Sequence, residues 1–364
     1  MKRLVLMGAG HAHLVVLKQW LREPLTDVEL VLVTPSTWQY YSGMIPGWVA
    51  GHYSIDQCRI DAEALALAAG ADIVLDTVEE IRADEKQVRL AGGELVDYNW
   101  LSIDIGAQTS VTSLRGYTGS LLSIKPLEQF HERWSRVQER PASEVLHCAL
   151  VGGGAAGAEL AMAFAYAGRT GASAPIEVSL ITGHQGLLPG FRPCIRKLAR
   201  RKLKRLGVHV IEQRAEAVGP LLTLTDGASM RPDLVVAVTG TEAFPFLKSS
   251  GLAVDAEGFV LVNEHQQSLS HPEVFAVGDV CSRSDRALNR SGVHAIRAAP
   301  ALAANLRAAT NAGEFATFQP RPYTLYLISC GDRSAIGCYG PLAFSGRWVW
   351  RLKDKIDRGF VEVF

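Results

Sequence analysis

Leu146-His147-Cys148-Ala149-Leu150-Val151-Gly152-Gly153-Gly154-Ala155-Ala156-Gly157-Ala158-Glu159 is the stretch on which the reading of this chain turns. The run Leu146 to Val151, closed by glycine, reads as a strand buried on both faces, and Ala158 to Gly168 continues with helical periodicity. Gly152, Gly154 and Gly157 stand between them at GxGxxG spacing. A strand, a glycine turn and a helix in that order point unpaired backbone N–H groups and the positive helix end at one place, where a pyrophosphate can sit. The next strand, Ile176 to Ile181, ends in Thr182-Gly183-His184, without the acid that would bind a ribose 2′-hydroxyl, so NADH and NADPH are not told apart. Arg192 and Arg196 fit either a 2′-phosphate contact or a solvated basic helix face.

The same order occurs at the start of the chain. The strand Lys2 to Met7 runs into Gly8-Ala9-Gly10-His11-Ala12-His13, a helix follows near Ala12 to Arg22, and a second strand covers Val28 to Val33. His13 stands where a third glycine is expected, which predicts looser packing of helix on strand. The second strand ends in Thr34-Pro35-Ser36, leaving ribose contacts to hydroxyl or backbone groups. Further along come a basic helix from about Pro193 to Leu206, the strands Val208 to Glu212 and Leu234 to Thr239, the strand Val274 to Asp279 and a helix from Val293 to Leu306. Short β-branched runs alternating with Ala/Leu-rich segments predict an α/β fold with largely parallel sheets. The arrangement expected is two Rossmann-like dinucleotide-binding domains, the second inserted in the first, plus a strand-rich C-terminal cap with an amphipathic tail. The expected boundaries are 1–118 and 246–319 for the first dinucleotide-binding domain, 119–245 for the inserted one and 320–364 for the cap.

Composition narrows the field. At 364 residues, 48% hydrophobic and 20% charged, the chain can bury two sizeable cores without staples. Lys plus Arg equals Asp plus Glu at 37 each, so no net field steers it toward nucleic acid. Its cysteines show neither CxxC nor zinc-site spacing, which predicts no metal centre and a reducing, cytoplasmic setting. The opening residues lack a signal-peptide pattern, and the apolar run Cys148 to Ala167 is broken by glycines and Glu159, so no membrane-spanning segment is expected.

The segment Pro272-Glu273-Val274-Phe275-Ala276-Val277-Gly278-Asp279 adds a short apolar strand ending in Gly-Asp. With the two glycine motifs, the chain resembles the FAD-dependent pyridine nucleotide-disulfide oxidoreductase superfamily, the two-dinucleotide-binding-domain flavoproteins. The resemblance implies FAD bound by Gly8, Gly10, His11, Ala12, Thr34, Pro35, Ser42, Gly106, Gly278, Asp279, His294 and Ala295. Within that set, Asp279 would meet the ribityl hydroxyls, and the helix beginning near Val293-His294-Ala295 would aim its N-terminus at the flavin pyrimidine. It implies NAD(P)H bound by Gly152, Gly154, Ala155, Gly157, Glu159, Thr182 and Gly240. Tyr98 to Gly106 and Asp233 to Gly240 resemble the crossovers between the domains, with Asp104 in place of a small residue.

The run Trp38 to Tyr53 is too rich in aromatics, glycine and proline for regular structure and reads as a loop that lies against a planar ring. It holds no CxxxxC pair, which argues against a dithiol relay. Its Tyr41-Ser42-Gly43-Met44-Ile45-Pro46-Gly47-Trp48 wording resembles a subgroup related to type II NADH dehydrogenases, sulfide:quinone reductases and the flavoprotein associated with selenophosphate synthetase. No catalytic residue is assigned, but Glu159, Lys125 and Pro46 are candidates. Glu159 either orients the nicotinamide or stabilises the first helical turn, and Lys125 is either a cation beside the flavin or a surface lysine before a turn. Cys330 and Cys338 are either inert or a sulfur relay.

Trp348, Leu352, Ile356 and Phe360 recur every fourth residue among basic neighbours, which predicts an amphipathic helix that packs on the body, on a dimer mate, or at the inner face of a membrane. The function implied is hydride transfer from NAD(P)H to flavin N5 and onward passage of electrons to a small-molecule acceptor, a quinone first. The alternatives are a cysteine-using sulfur- or selenium-compound:quinone oxidoreductase and a flavin-bound redox sensor without turnover.

Overall fold

The computed structural model describes residues 1–141 and 143–364. Four parallel strands open the chain: β1 (Lys2–Met7), followed by helix α1 (His11–Trp20), then β2 (Val28–Thr34), β3 (Ala71–Leu75) and β4 (Trp100–Ile103). In β1 the last four residues are all buried, as expected of a strand covered on both faces. The chain then builds a second parallel sheet from β5 (Leu121–Ser123), β6 (Leu146–Val151), helix α2 (Ala155–Thr170), β7 (Ile176–Ile181), helix α3 (Pro193–Arg205), β8 (His209–Ile211) and β9 (Leu234–Ala237). It returns through β10 (Val274–Ala276) and helix α4 (Gly292–Asn311).

The sheet orders are β10-β4-β1-β2-β3 and β5-β9-β6-β7-β8. Strand β10 pairs in parallel with β4, Val274 opposite Leu101, so the late strand completes the first sheet across the inserted second one. The two crossovers lie side by side, Gln108–Thr109 antiparallel to Thr241–Glu242. In the first layer, Leu14, Leu17 and Trp20 of α1 share one apolar cluster with Ala299, Leu302 and Leu306 of α4. In the second, Phe164 of α2 meets Trp134 edge-on with ring centroids 4.5 Å apart.

The tail forms an antiparallel sheet, β11 (Tyr326–Ser329), β12 (Ala335–Tyr339) and β13 (Leu342–Gly346), then helix α5 (Arg347–Val361). Two expectations change here. Trp38 to Tyr53 is not irregular: it holds a strand at Trp38–Tyr40, a 3-10 turn at Ser42–Met44 and a short helix at Ile45–Val49. Pro46 sits in that helix's first turn, where its missing N–H costs nothing, and Met44, Ile45 and Val49 are buried in the core around α2.

The second change concerns α5, whose body-facing side is not the aromatic stripe. Val349, Lys353 and Asp357 face inward while Trp348, Leu352 and Ile356 are exposed, so of the stripe Phe360 packs on the first layer and Trp348 only stacks on Phe344 of β13. A buried Lys–Asp pair four residues apart accounts for the reversal, because its two charges satisfy each other. No helix among the described residues is long and apolar enough to cross a membrane.

Candidate functional site

A cavity of about 690 Å³ runs along the ends of the first sheet. It passes Thr34, Pro35 and Ser36 after β2, then Gly8, Gly10 and His11 at the first glycine turn, then Ser42, Gly106, Lys125, Gly278, Asp279, Gly292 and Ala295. That volume is typical of sites that enclose a small molecule or cofactor. Gly8 has φ +89, and a β-carbon there would stand 2.7 Å from the Asp104 carbonyl oxygen. At Gly10 a β-carbon would run into the Asp104 carboxyl. No side chain fits between this turn and the end of β4.

Asp279 carries the polar end of the cavity. One carboxylate oxygen takes the Lys125 ammonium at 3.0 Å, and the other, Oδ1, is buried without a partner. An orphaned buried acceptor calls for a donor such as a ribityl hydroxyl, so the residues present fit FAD. Lys125 is therefore no free surface lysine. The His11 ring is half-buried, with its Nε2 out of solvent, and meets Tyr41 edge-on at 5.5 Å; desolvation pushes its pKa down to about 4.

Two of the expected FAD residues, and the catalytic candidate Pro46, stand elsewhere. Ala12 is buried, its N–H donating to Asp104 Oδ2 at 2.8 Å, and does not line the cavity. His294 faces a second, smaller cavity of about 390 Å³ beside Ser291, Arg290 and Gln266, because the first turn of α4 turns Gly292 toward the main cavity and His294 away from it. Gly278 and Ala295 border both. Pro46 is enclosed in its helix and touches neither.

The packing expected at His13 also changes. Its ring is fully buried, with Nδ1 2.6 Å from the Gly8 carbonyl and Nε2 2.8 Å from Ser102 Oγ, so the larger residue ties helix to strand instead of loosening them. Asp104 was visible in the sequence only as a departure from a small residue. It is 4% exposed and its Oδ2 accepts the N–H of both Ala12 and His13, capping α1 from a neighbouring strand.

At the second glycine turn, Gly152 has φ +140 and lies against the Val238 carbonyl. A β-carbon at Gly157 would collide with the Gly152 carbonyl, so α2 rests directly on the turn. Gly154 has open space around its α-carbon, and Ala155 begins the helix. Thr182 packs close to Gly153, and Gly240 accepts the Ser110 N–H at the crossover.

Glu159 does not face solvent above that turn. It is half-buried, and its Oε1 accepts the Ser329 N–H at 2.7 Å, joining α2 to the C-terminal sheet. Burial pushes its pKa up to about 7, with Lys353 and the Ser329 N–H pulling the other way. Lys353 donates to the Gly43 carbonyl at 2.6 Å and pairs with Asp357 at 2.5 Å, while Tyr41 OH donates to Asp357 at 3.3 Å. This buried cluster joins α5 to the Tyr41–Trp48 segment. Its only sequence signal was a Lys–Asp pair at i,i+4 inside a run read for its aromatics.

Cys330 is fully buried, its thiol pushed up to about 12 by burial. Cys338 lies opposite Tyr326, three rungs along the ladder from the Ser329–Ala335 pair beside which Cys330 sits. The two thiols are not neighbours.

With this geometry established, similarity to known proteins becomes informative. Over 286 residues the chain is 21% identical to an NADH dehydrogenase-like protein of Bacillus subtilis, covering 78% of this chain and 77% of that one. Over 219 residues it is 27% identical to the nitric oxide reductase FlRd-NAD(+) reductase of Vibrio vulnificus, covering 58% of this chain and 53% of the relative. The chain thus spans about half the length of the nitric oxide reductase relatives it matches. Two solved structures share the fold. The sulfide:quinone oxidoreductase of Aquifex aeolicus superposes with TM-score 0.79 at 17% identity over 100% of this chain and 92% of its own. NDH2 of Plasmodium falciparum, solved with NADH, superposes with TM-score 0.82 at 14% identity over 99% and 98%. The model for the pyridine nucleotide-disulphide oxidoreductases matches residues 2–305, and the chain belongs to that family, whose members are FAD-containing, NAD(P)H-dependent oxidoreductases.

Proposed function

We propose that this protein is an FAD-dependent NAD(P)H:acceptor oxidoreductase whose acceptor is a quinone. The observation that carries the reading is the cavity at the first sheet, where close-packed Gly8 and Gly10 lie at one stretch and the orphaned Asp279 oxygen at another. In this reading residues 1–118 with 246–319 hold FAD, 119–245 hold the nicotinamide nucleotide, and 320–364 form the cap.

FAD, when bound, supplies the redox centre that accepts two electrons from the nicotinamide and passes them on. The chain's own residues do the rest. Asp279, its charge balanced by Lys125, receives the ribityl hydroxyls, and Gly8 and Gly10 let the diphosphate approach the backbone. Gly152, Gly154 and Gly157 serve the nicotinamide nucleotide in the same way. Glu159, poised near neutrality and within the influence of Lys353, can hold or give up a proton between α2 and the cap.

A quinone is favoured over a protein acceptor by the outer side of α5. Exposed Trp348, Leu352 and Ile356, with Arg347, Arg351 and Lys355 beside them, suit an anionic lipid surface where quinones reside. The same face also suits a dimer mate. The FlRd-NAD(+) reductase relatives make a small redox protein the competing acceptor. The sulfur-compound reading is disfavoured by the burial of Cys330 and its separation from Cys338.

The test is steady-state NADH and NADPH oxidation with a short-chain ubiquinone or menaquinone analogue, against a rubredoxin-type protein. Turnover with quinone, increased by anionic vesicles, is the expected result. Turnover with the iron protein alone would replace the acceptor, and a long-lived charge-transfer complex without turnover would favour a sensor.

A further inference from the structure

Helix α1 starts at His11, and the N–H groups of His11, Ala12 and His13 have no intrahelical partner. At such a turn these donors, with the positive helix end, are what an arriving diphosphate takes. Here two of them are spoken for. Asp104 Oδ2 accepts from Ala12 at 2.8 Å and from His13 at 3.0 Å, and the Asp104 carbonyl accepts the Gly10 N–H at 3.1 Å. Asp104 also lines the cavity that Gly8 and Gly10 border.

Its surroundings offer no counter-charge. His13 on α1 is buried and His11 at the turn half-buried, and desolvation pushes both imidazoles down to about 4 and so holds them neutral. Asp279 faces it across the Gly278 turn as a second acid, and its charge is taken by Lys125. Cys281, just beyond, is a buried thiol pushed up to about 12. Ser102 on β4, and Gly292 and Ala295 on α4, carry no charge. Among the described residues no Lys or Arg pairs with Asp104. A diphosphate placed at this turn therefore meets a carboxylate that only two backbone N–H groups stabilise.

We propose that Asp104 is a proton-linked positioning residue for the FAD diphosphate, holding the cofactor tightly when its carboxyl is protonated and loosening it on ionisation. This rests on the FAD reading above. The neutral acid keeps one oxygen accepting from Ala12 and His13 and gains an O–H donor where an anion arrives. Burial, with a contribution from Asp279, already pushes this carboxyl up to about 7 against the two N–H groups, and a neighbouring diphosphate raises it further. Each FAD bound by the ionised form takes up one proton, so affinity is full below the pKa of the flavin-free protein. It falls as pH rises above that pKa, by about tenfold per pH unit.

The test is the equilibrium dissociation constant of FAD, read from flavin fluorescence as flavin-stripped protein is titrated between about pH 6 and about pH 9. The wild-type constant is expected to rise at least about thirtyfold across that range, and that of Asp104→Asn, which keeps the shape and the acceptor, to change by less than about twofold and to be the lower at high pH. Should the variant fold poorly, proton release accompanying flavin release from weakly buffered wild-type protein gives the same information, with about one proton per flavin expected near pH 8. A dissociation constant that does not vary with pH, an unchanged slope in Asp104→Asn, or no proton coupling would overturn the proposal. A protein that never carries flavin would instead refute the FAD reading itself.

Discussion

At the first glycine turn, helix α1 is held by side chains: Asp104, brought from the end of β4, caps its free N–H groups, and the helix's own His13 ring bonds the Gly8 carbonyl. At the second turn, α2 is held by the absence of a side chain, Gly157 lying flat on the Gly152 carbonyl with Gly154 open in front of it. The same strand–turn–helix plan thus yields one site already occupied in part by the protein's own acid and one left bare. A bare turn suits a substrate nucleotide that comes and goes. A turn with a built-in, proton-sensitive competitor suits a cofactor that stays and whose retention depends on pH.

The comparison breaks most visibly at Gly157. Gly157→Val drives a branched side chain into backbone, and overpacking of this kind costs about 1–3 kcal/mol. The NAD(P)H concentration giving half-maximal flavin reduction should rise about tenfold or more while FAD content stays normal. Unchanged nicotinamide kinetics in stopped flow would make this motif structural.

The next effect belongs to the other site. Asp279→Ala removes the acceptor for a buried charge-assisted hydrogen bond, worth about 1.5–3 kcal/mol, so the protein should purify with flavin affinity lowered about tenfold or more. Full flavin content, read from the ratio of flavin to protein absorbance, would remove Asp279 from the site.

Glu159 sharpens the comparison through pH. Its pKa is raised in the folded protein from 4.5 to about 7, so the native state binds more protons than the unfolded one between those values, and stability falls as pH rises through that window. Glu159→Gln keeps the acceptor for Ser329 without the charge. Its melting temperature should fall less than that of wild type between about pH 5 and about pH 8. Equal losses would mean that another group carries the dependence.

The smallest effect is expected from Cys330→Ser combined with Cys338→Ser. One buried and one half-buried thiol, both raised by desolvation and set apart, have no part in nicotinamide-driven reduction, so the flavin reduction rate should stay within about twofold. Its loss with an intact flavin spectrum and melting temperature would revive a sulfur relay.

Sequence reading did well where chemistry is local. GxGxxG, the strand before it and the helix after it are fixed by sterics within a few residues, and β6 with α2 came out as expected. The strand ending in Gly278-Asp279 was readable for the same reason. What escaped depends on partners distant in the chain. Asp104 looked like a poor hinge residue because its meaning lies in N–H groups 91 and 92 residues away. Lys353 and Asp357 were hidden because a charged pair reads as solvated surface until something covers it, here the Tyr41 and Gly43 segment. His294 was assigned by motif position, which cannot say which way a residue points from the first turn of a helix.

The most direct test of the account is anaerobic mixing of the purified protein with NADH, NADPH and sulfide in turn, following the flavin absorbance. The account predicts a yellow protein bleached rapidly and fully by a nicotinamide nucleotide and not by sulfide. A yellow protein that only sulfide bleaches, or one indifferent to both nucleotides, would contradict it.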